Sequence, residues 1–251
     1  MVTSRNGTLI AAVAALLGSL TILSCGGSIA QAQDYEKVLA AANRTEDDRS
    51  NDKRREALKL LEFTGPKTGM LVLDMGAGAG YSTELMARAV GPTGKVWGQN
   101  GPLRSNIVLY QFEKRFKGSP IDNVAEVISP MTNPAPGLPP VDLVTFFFAY
   151  HDTTFMGVDR PKMNKAILAA LKPGGVLVVV DHSARPEDGA TVGETYHRVS
   201  ETIVRAELEA AGFEFVNSSD FLRNPEDPRT SSSLGASIKV DQFVLKFRKP
   251  A

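Results

Sequence analysis

Residues 71–100, with the sequence LVLDMGAGAGYSTELMARAVGPTGKVWGQN, constrain the fold more than any other stretch of the chain. An apolar run at residues 70–73, too short for a buried helix, predicts a buried parallel strand. Gly76, Gly78 and Gly80 follow at alternate positions. A missing Cβ at each position lets the backbone turn sharply and lets a ligand touch the main chain. The stretch is therefore predicted to be a ligand-binding loop at the end of a strand.

The residues after the glycines complete a β-α-β unit. A helix is predicted over residues 82–90 and a second strand over residues 95–98, which together give the length that a right-handed crossover needs. The unpaired amides at the start of the helix and the positive end of its dipole face the loop. The loop therefore suits an anionic or polar head group.

The glycine spacing distinguishes between types of nucleotide. A dinucleotide fingerprint reads G-x-G-x-x-G, and its third glycine would stand where this chain has Tyr81. The chain instead reads D-x-G-x-G-x-G from Asp74 to Gly80, which resembles motif I of the class I S-adenosylmethionine (SAM) dependent methyltransferases. A tight turn without a ligand and an NAD or NADP site are the alternatives.

The resemblance implies that the loop wraps the methionine half of SAM, and that the Asp74 carboxylate orders the loop or meets the ammonium group. Most members of the family end their second strand with Asp or Glu, which binds both ribose hydroxyls. This chain has Gln99 and Asn100 there, and an amide accepts one hydroxyl proton without the added strength of a charge. The expected cofactor-binding residues are Asp74, Gly76, Gly78, Gly80, Tyr81, Gln99 and Asn100.

The first 32 residues are typical of a secretory signal. Arg5 precedes an uncharged run of apolar and small residues at 9–23, which is shorter than the roughly 20 apolar residues of a transmembrane helix. Signal peptidase would cut after Ala32. Alternatively, residues 22–25 resemble a bacterial lipobox, in which Cys25 would be lipidated and become the first mature residue. Both alternatives export the protein, to the periplasm in a Gram-negative cell, and only the second attaches it to a membrane.

The composition after the signal fits one domain. Residues 33–69 are predicted to form a helical cap and residues 70–251 the methyltransferase domain, so the chain resembles the predicted methyltransferases with signal peptides found in bacteria. The 28 basic and 28 acidic residues leave no basic excess for binding nucleic acid. Because Cys25 is the only cysteine, no disulfide forms within the chain. A small-molecule substrate remains by elimination.

Strand and helix patterns alternate through the rest of the chain. The strands are predicted at residues 124–128, 142–150, 175–181, 213–216 and 243–247, and the helices at 105–116, 162–171 and 195–211. A loop rather than a helix joins the last two strands, which resembles the end of the methyltransferase sheet. We therefore expect an α/β fold with a Rossmann-like, seven-stranded, mostly parallel sheet, an antiparallel last strand and helices on both faces.

Residues 34–61 have a charged, helical pattern with two short apolar faces. One interpretation is a solvated helix pair that packs over the edge of the sheet. The other, implied by the family resemblance, is a cap over the cofactor pocket. In that cap Arg49 or Arg55 would bind the SAM carboxylate.

All three histidines map to the rim of the predicted sheet where open α/β folds bind ligands. His151 precedes Asp152, Asp181 precedes His182, and His197 stands near the start of a predicted helix. Methyl transfer to a hydroxyl needs a base, and His151 is the first choice. Asp152 or Asp181 would orient it and His182 is the reserve base, so the expected catalytic residues are His151, Asp152 and His182.

Two alternatives apply to the same five residues. The histidines would be structural hydrogen-bond partners in the first. In the second, the imidazoles and carboxylates together would form a metal site with mixed nitrogen and oxygen ligands.

Residues 223–237 (RNPEDPRTSSSLGAS) are predicted to be either a surface loop or a substrate lid. The leading hypothesis for the whole chain is SAM-dependent methyl transfer to a small-molecule acceptor, at oxygen, with a rim histidine as the base. A non-catalytic protein of the same fold that binds SAM or a nucleoside is the first alternative, motivated by Gln99 and Asn100. A metal-dependent hydrolase is the second.

Overall fold

The structure is a computed structural model that describes residues 1–3, 34–102, 106–117 and 121–251. The chain divides into two units, Met1–Ala32 and Gln33–Ala251, and the second contains all the elements below. Cys25 and both predicted cleavage positions lie outside the described residues. Within the described ranges, no helix combines the length and the apolar character that crossing a membrane requires.

A seven-stranded sheet forms the centre of the second unit, with the strand order β3-β2-β1-β4-β5-β7-β6. Only β7 runs antiparallel to its neighbours, β5 and β6, among the strands of this sheet. This confirms the predicted Rossmann-like sheet with an antiparallel last strand. The strands are β1 Leu71–Met75, β2 Lys95–Asn100, β3 Val124–Ile128, β4 Val141–Phe147, β5 Leu171–His182, β6 Glu214–Ser219 and β7 Gln242–Arg248.

Helices flank the sheet and precede it. The α-helices are α1 Tyr35–Leu39, α2 Glu46–Arg54, α3 Ala57–Thr64, α4 Tyr81–Val90, α5 Asn106–Phe116, α6 Arg160–Ala170, α7 Gly193–Tyr196 and α8 Glu201–Ala211. The predicted pair of N-terminal helices is therefore three helices. The separation of α1 from α2 is due to Thr45, whose hydroxyl and backbone form a reciprocal capping box with Asp48.

The prediction of a single helix at 195–211 is wrong, because the helix is interrupted at His197. This residue is the C-cap of α7 and has a left-handed backbone (φ 50). The following residues are extended, and Val199 forms a parallel bridge with Ser183 before α8 begins. The regular apolar spacing in this part of the sequence gives no sign of the interruption at His197.

The predicted strand at 142–150 also ends early, at Phe147. Phe148 has a left-handed backbone (φ 56), and the chain then turns into a short 3₁₀ helix at His151–Thr154. As a result, His151 and Asp152 lie on a short 3₁₀ helix just beyond the carboxyl end of β4.

The core has two layers, one on each face of the sheet. Alternate strand residues point to opposite faces, so Leu73 and Val144 pack into one layer while Val72 and Leu143 pack into the other. All four side chains are at most 2% exposed. Burying a side chain of this kind contributes roughly 1.5–3 kcal/mol, so the central strands form a rigid platform for the residues at their carboxyl ends.

Candidate active site

The glycine loop joins β1 to α4 and has a left-handed backbone at Gly76 (φ 62), Gly78 (φ 58) and Gly80 (φ 84). A Cβ on Gly80 would come within 2.8 Å of the Phe116 ring, so this glycine is needed for packing. A Cβ on Gly78 would have no neighbour closer than the Gly76 carbonyl oxygen at 4.0 Å. The outer face of the loop is therefore open at Gly78, where a ligand can approach the main chain.

Gln99 and Asn100 support this loop from beneath. The Gln99 side chain accepts a hydrogen bond from the Gly76 amide at 3.1 Å and donates to the Ser129 carbonyl. The Asn100 side chain accepts from the Gly78 amide at 2.9 Å and donates to the Gly78 carbonyl at 3.1 Å. Both side chains are fully buried. Their polar atoms shape the loop in this structure, and the expectation that they bind the cofactor stays a prediction.

A carboxylate that the sequence reasoning missed lies beside Asn100. The Asn100 amide also donates to Glu126 on β3 at 3.1 Å. In the parallel register of β2 and β3, Glu126 is opposite Gly98, and Glu126 is exposed. A carboxylate therefore lies beside the end of the second strand but belongs to the neighbouring strand, which the sequence pattern of one strand does not indicate.

Asp74 is buried at the end of β1 and receives hydrogen bonds from three hydroxyls. Ser82 and Thr83 on α4 donate at 2.8 and 2.6 Å, and Thr145 on β4 donates at 2.6 Å. Burial raises the pKa of Asp74 and the hydroxyls oppose that shift. Of its two expected roles, Asp74 therefore has the structural one: it orders the loop and is not exposed to a ligand.

Arg55, which follows α2, packs against Tyr81, the first residue after the glycine loop, while Arg115 donates to the Ala79 carbonyl within the loop at 2.9 Å. The Arg55 guanidinium lies 4.9 Å from the centre of the Tyr81 ring and 4.6 Å from that of Phe148. Burial lowers the pKa of Arg55 to about 10, so the group remains charged at neutral pH. Its Nε has no hydrogen-bond partner among the described residues. Arg49, in contrast, donates to the carbonyls of Leu39 and Ala41 within the cap.

Tyr81 connects the cap to the first turn of α4. Its hydroxyl donates to Asp52 at 2.6 Å, and Asp52 also accepts a hydrogen bond from Arg44 at 2.8 Å. Tyr81 is 8% exposed. In the structure Tyr81 joins the cap to α4 and its ring lies against Arg55, while its expected binding of the cofactor stays a prediction. Nothing local in the sequence indicates the long-range contact of Tyr81 with Asp52.

The three histidines lie together beyond the ends of β4 and β5. The ring centre of His151 is 5.8 Å from that of His182 and 5.5 Å from that of His197. Asp181 is fully buried; it accepts a hydrogen bond from the His151 backbone at 2.8 Å and lies 2.7 Å from the His151 Nδ1. Asp152 lies 3.2 Å from the other ring nitrogen, Nε2. All five residues named from the sequence therefore form one cluster.

The two central imidazoles differ in charge. Burial lowers the pKa of His151, but Asp181 and Asp152 outweigh that effect and raise it to about 10. Burial lowers the pKa of His182 to about 4. At neutral pH His151 therefore has a proton on both nitrogens, which conflicts with its expected role as the base, whereas His182 is neutral and has a free lone pair.

A cavity of about 310 Å³ lies next to His182. It is lined by Arg54, His182, Gln242 and residues of the segment 233–240. The Nδ1 of His182 and the Oε1 of Gln242 are buried and have no hydrogen-bond partner among the described residues. The two residues are directly opposite each other in the antiparallel ladder of β5 and β7, so their side chains lie on the same face of the sheet.

The loop at 223–237, a predicted surface loop or lid, packs against the histidine cluster. Arg198, which is 1% exposed, donates to the Ser231 carbonyl at 2.9 Å and to Asp227 at 2.8 Å. Ser233 donates to the carbonyls of Tyr196 and His197. These hydrogen bonds hold the segment in this structure, where its residues 233–236 line the cavity.

Comparison with known proteins gives one family and a common fold. The model of the protein-L-isoaspartate(D-aspartate) O-methyltransferase family matches residues 53–188. Comparison with curated protein sequences gave no match.

Three solved structures illustrate the fold. A SAM-dependent methyltransferase from Aquifex aeolicus is 25% identical over 86% of this chain and 98% of that one, with a TM-score of 0.60. The putative methyltransferase BH2331 from Bacillus halodurans C-125 is 20% identical over 77% of this chain and 98% of that one, with a TM-score of 0.55. The [4+2]-cyclase SpnF is 16% identical over 79% of this chain and 82% of that one, with a TM-score of 0.59. The last two similarities show the fold alone.

Proposed function

Because this chain belongs to the protein-L-isoaspartate(D-aspartate) O-methyltransferase family, we propose that it transfers a methyl group from SAM to an acidic oxygen of a small-molecule acceptor. The chain is an enzyme of the SAM-dependent methyltransferase class. The finer assignment rests on the cavity beside His182, whose small volume suits a compact acceptor. Two of its lining residues, His182 and Gln242, each have a buried polar atom without a partner among the described residues.

The residues around the glycine loop fit SAM. The open backbone at Gly78 gives close access to the main chain, Arg55 supplies a cation with an unpartnered Nε for a carboxylate, and Glu126 supplies a carboxylate for ribose hydroxyls. When bound, SAM provides an electrophilic methyl group on a sulfonium. The protein then holds the acceptor oxygen in line with the methyl group and excludes competing water.

His182 is the residue that we assign to the acceptor proton. It is neutral, it lines the cavity, and its buried Nδ1 has no partner in the described part of the chain. An imidazole with a pKa of about 4 is neutral at physiological pH and can accept a proton. A phenol oxygen keeps its proton at that pH and needs a base, whereas a carboxylic acid is already ionised and needs none. Arg54 and Lys239 also line the cavity and favour an acceptor with negative charge.

A second candidate acceptor is suggested by the family match. The family name specifies the isoaspartyl carboxyl group of a protein, which would place a peptide rather than a small molecule against the same cavity. The acceptor oxygen is acidic in both cases, so the size of the acceptor is the point to test.

A methyl-transfer assay with a panel of small phenols and carboxylic acids, run beside isoaspartyl peptides, tests the proposal. We expect methylation of small acids only, and a loss of about 10²–10⁴-fold in kcat for His182→Asn on a phenol. Glu187→Gln, at an exposed site, is the control and should retain full activity. Methylation of peptides only would refute the small-molecule assignment. Full phenol methylation by His182→Asn would refute the assignment of His182 as the base.

We also propose that the enzyme acts outside the cytoplasm, on the strength of the signal predicted for residues 1–32. Fractionation of cells that express the full chain would test this, since the signal predicts recovery from the periplasm or the membrane fraction. Cys25→Ser separates the two routes, because only a lipid-anchored protein would leave the membrane fraction on this change.

A further inference from the structure

The side chains of His151, Asp152 and His197 each place one ligand atom in a group whose members all lie within 4.8 Å of one another. We propose that these three residues bind a divalent transition-metal ion of the zinc type. The site is separate from the residues that fit SAM and goes beyond the proposed methyl transfer.

The hydrogen bonding of His151 sets the orientation that a metal ligand needs. The Nδ1–H of the ring points to the buried Asp181 carboxylate at 2.7 Å, which leaves Nε2 facing Asp152 at 3.2 Å. Histidines that bind metals almost always donate their other ring N–H to a carboxylate or carbonyl, which fixes the ring. Asp181 is therefore the positioning residue, and Nε2 is the ligand atom once a metal displaces the proton that it has at neutral pH.

The backbone brings the two halves of the site together through a glycine. His151 and Asp152 lie on the 3₁₀ helix at His151–Thr154, while His197 ends α7. A Cβ on Gly193, at the start of α7, would be 1.9 Å from the Thr154 hydroxyl and 2.8 Å from the His151 carbonyl oxygen. Only glycine lets the two segments approach this closely, so the spacing of the ligand atoms is built into the packing.

The ligand types select the metal. Two imidazoles with one carboxylate suit zinc, iron or cobalt, whereas magnesium and calcium prefer an all-oxygen shell. Three protein ligands leave a position open for water or for an acceptor oxygen. The carboxylates of Asp152 and Asp181 on either side of the His151 ring offset the charge of a divalent cation.

The proposed site adjoins the acceptor cavity. His182 lines that cavity, and its ring centre is 5.8 Å from that of His151. A bound metal would thus lie one side chain away from the acceptor. Because metal binding requires neither SAM nor an acceptor, its test does not depend on the proposed methyl transfer.

Titration of the full chain with zinc and cobalt chloride tests the site. The protein is purified without a histidine tag, stripped with a chelator and held at about pH 8, because the metal must displace the His151 Nε2 proton and this displacement is easier at higher pH. We expect about one equivalent of either metal per chain, a rise in Tm on zinc addition, and no response to magnesium chloride.

Two variants assign the binding to these residues. His197→Asn removes an imidazole while keeping a residue that tolerates the left-handed backbone at this position (φ 50), and we expect it to abolish stoichiometric binding. Asp181→Asn should weaken binding about 10–100-fold by loosening His151. Glu187→Gln is the exposed control and should bind normally.

Circular dichroism confirms that each variant is folded, and Asp152→Asn replaces His197→Asn if the latter is not. Failure of the stripped wild-type chain to bind zinc or cobalt would overturn the proposal. So would stoichiometric binding by a folded His197→Asn or Asp152→Asn variant. Metal binding without any methyl transfer would leave the site standing and refute only the proposed acceptor chemistry.

Discussion

The side-chain amide of Asn100 forms hydrogen bonds with both the backbone N–H and the backbone C=O of Gly78, at 2.9 and 3.1 Å. The central glycine of the loop is therefore held by the protein itself. A loop that is already ordered loses less conformational entropy when a ligand binds, so we expect SAM to bind without a large rearrangement of residues 76–80.

Replacement of Asn100 by Asp tests the value of this contact. A carboxylate accepts from the Gly78 amide but has no N–H for the Gly78 carbonyl, and it would lie beside the Glu126 carboxylate. We expect the free energy of unfolding to fall by about 1–3 kcal/mol in urea denaturation. Asn133→Asp, at an exposed position, is the matched control. Equal stability of the Asn100→Asp variant and the wild type would contradict a structural role for this amide.

Gly78→Ala should separate ligand access from backbone strain. Alanine in the left-handed region costs roughly 1–2 kcal/mol, and Gly137 (φ 72) gives the same strain with no neighbour within 4 Å. Both Gly78→Ala and Gly137→Ala should lower Tm. Only Gly78→Ala should also raise the Kd for SAM, by about tenfold or more, equal to about 1.4 kcal/mol. Calorimetry measures both variants, and unchanged SAM affinity in Gly78→Ala would place the ligand elsewhere.

Arg55→Met should distinguish ligands that have a carboxylate from those that do not. Loss of a hydrogen bond to a charged group costs about 1.5–3 kcal/mol, so SAM should bind roughly 10–100-fold more weakly. Methylthioadenosine, which lacks the carboxylate, should bind as it does to the wild type. Arg49→Met is the control because Arg49 contacts only cap carbonyls. An equal loss for both ligands in Arg55→Met would mean that the residue stabilises the pocket rather than the carboxylate.

The buried pair of Arg198 and Asp227 should be the most costly ion pair to break. Both side chains are at most 2% exposed and their nearest charged atoms are 2.8 Å apart. Asp227→Asn leaves an uncompensated buried guanidinium, so we expect a loss of about 3–5 kcal/mol. Glu214→Gln breaks the exposed pair with Arg248 and should cost less than about 1 kcal/mol. Chemical denaturation measures the free energy of unfolding of both variants. A similar loss in the two would show that the buried pair of Arg198 and Asp227 does not stabilise the fold more than an exposed pair does.

The sheet was predictable because its signals are local. The glycine spacing from Asp74 to Gly80 and the apolar runs of the central strands depend on neighbouring residues alone. The loop between the last two strands predicted the antiparallel β7 through its resemblance to the end of the methyltransferase sheet. Element ends were less accurate, since Phe148 and His197 adopt left-handed backbones that contacts with distant segments stabilise.

The site was predictable only as a region. The sequence placed the histidines on one rim, but their contact depends on the close approach at Gly193, which no local pattern shows. The contacts of Gln99 and Asn100 with the glycine loop could not be predicted for the same reason. Their partners are Gly76 and Gly78, more than 20 residues away in the chain, and a motif identifies residue types without identifying the atoms that they contact.

The ladder between β5 and β7 keeps His182 opposite Gln242, whereas the rest of the cavity wall comes from the segment 233–240. Since backbone pairing fixes the first two residues, insertions or substitutions in the segment would leave them in place. The acceptor would therefore meet two kinds of residue: His182 and Gln242, which the sheet holds in place, and residues of the segment 233–240, which can be substituted without moving that pair. A chain built like this can change the molecule it accepts through its loop alone, so acceptor range is the property that we expect to diverge fastest among proteins of this design.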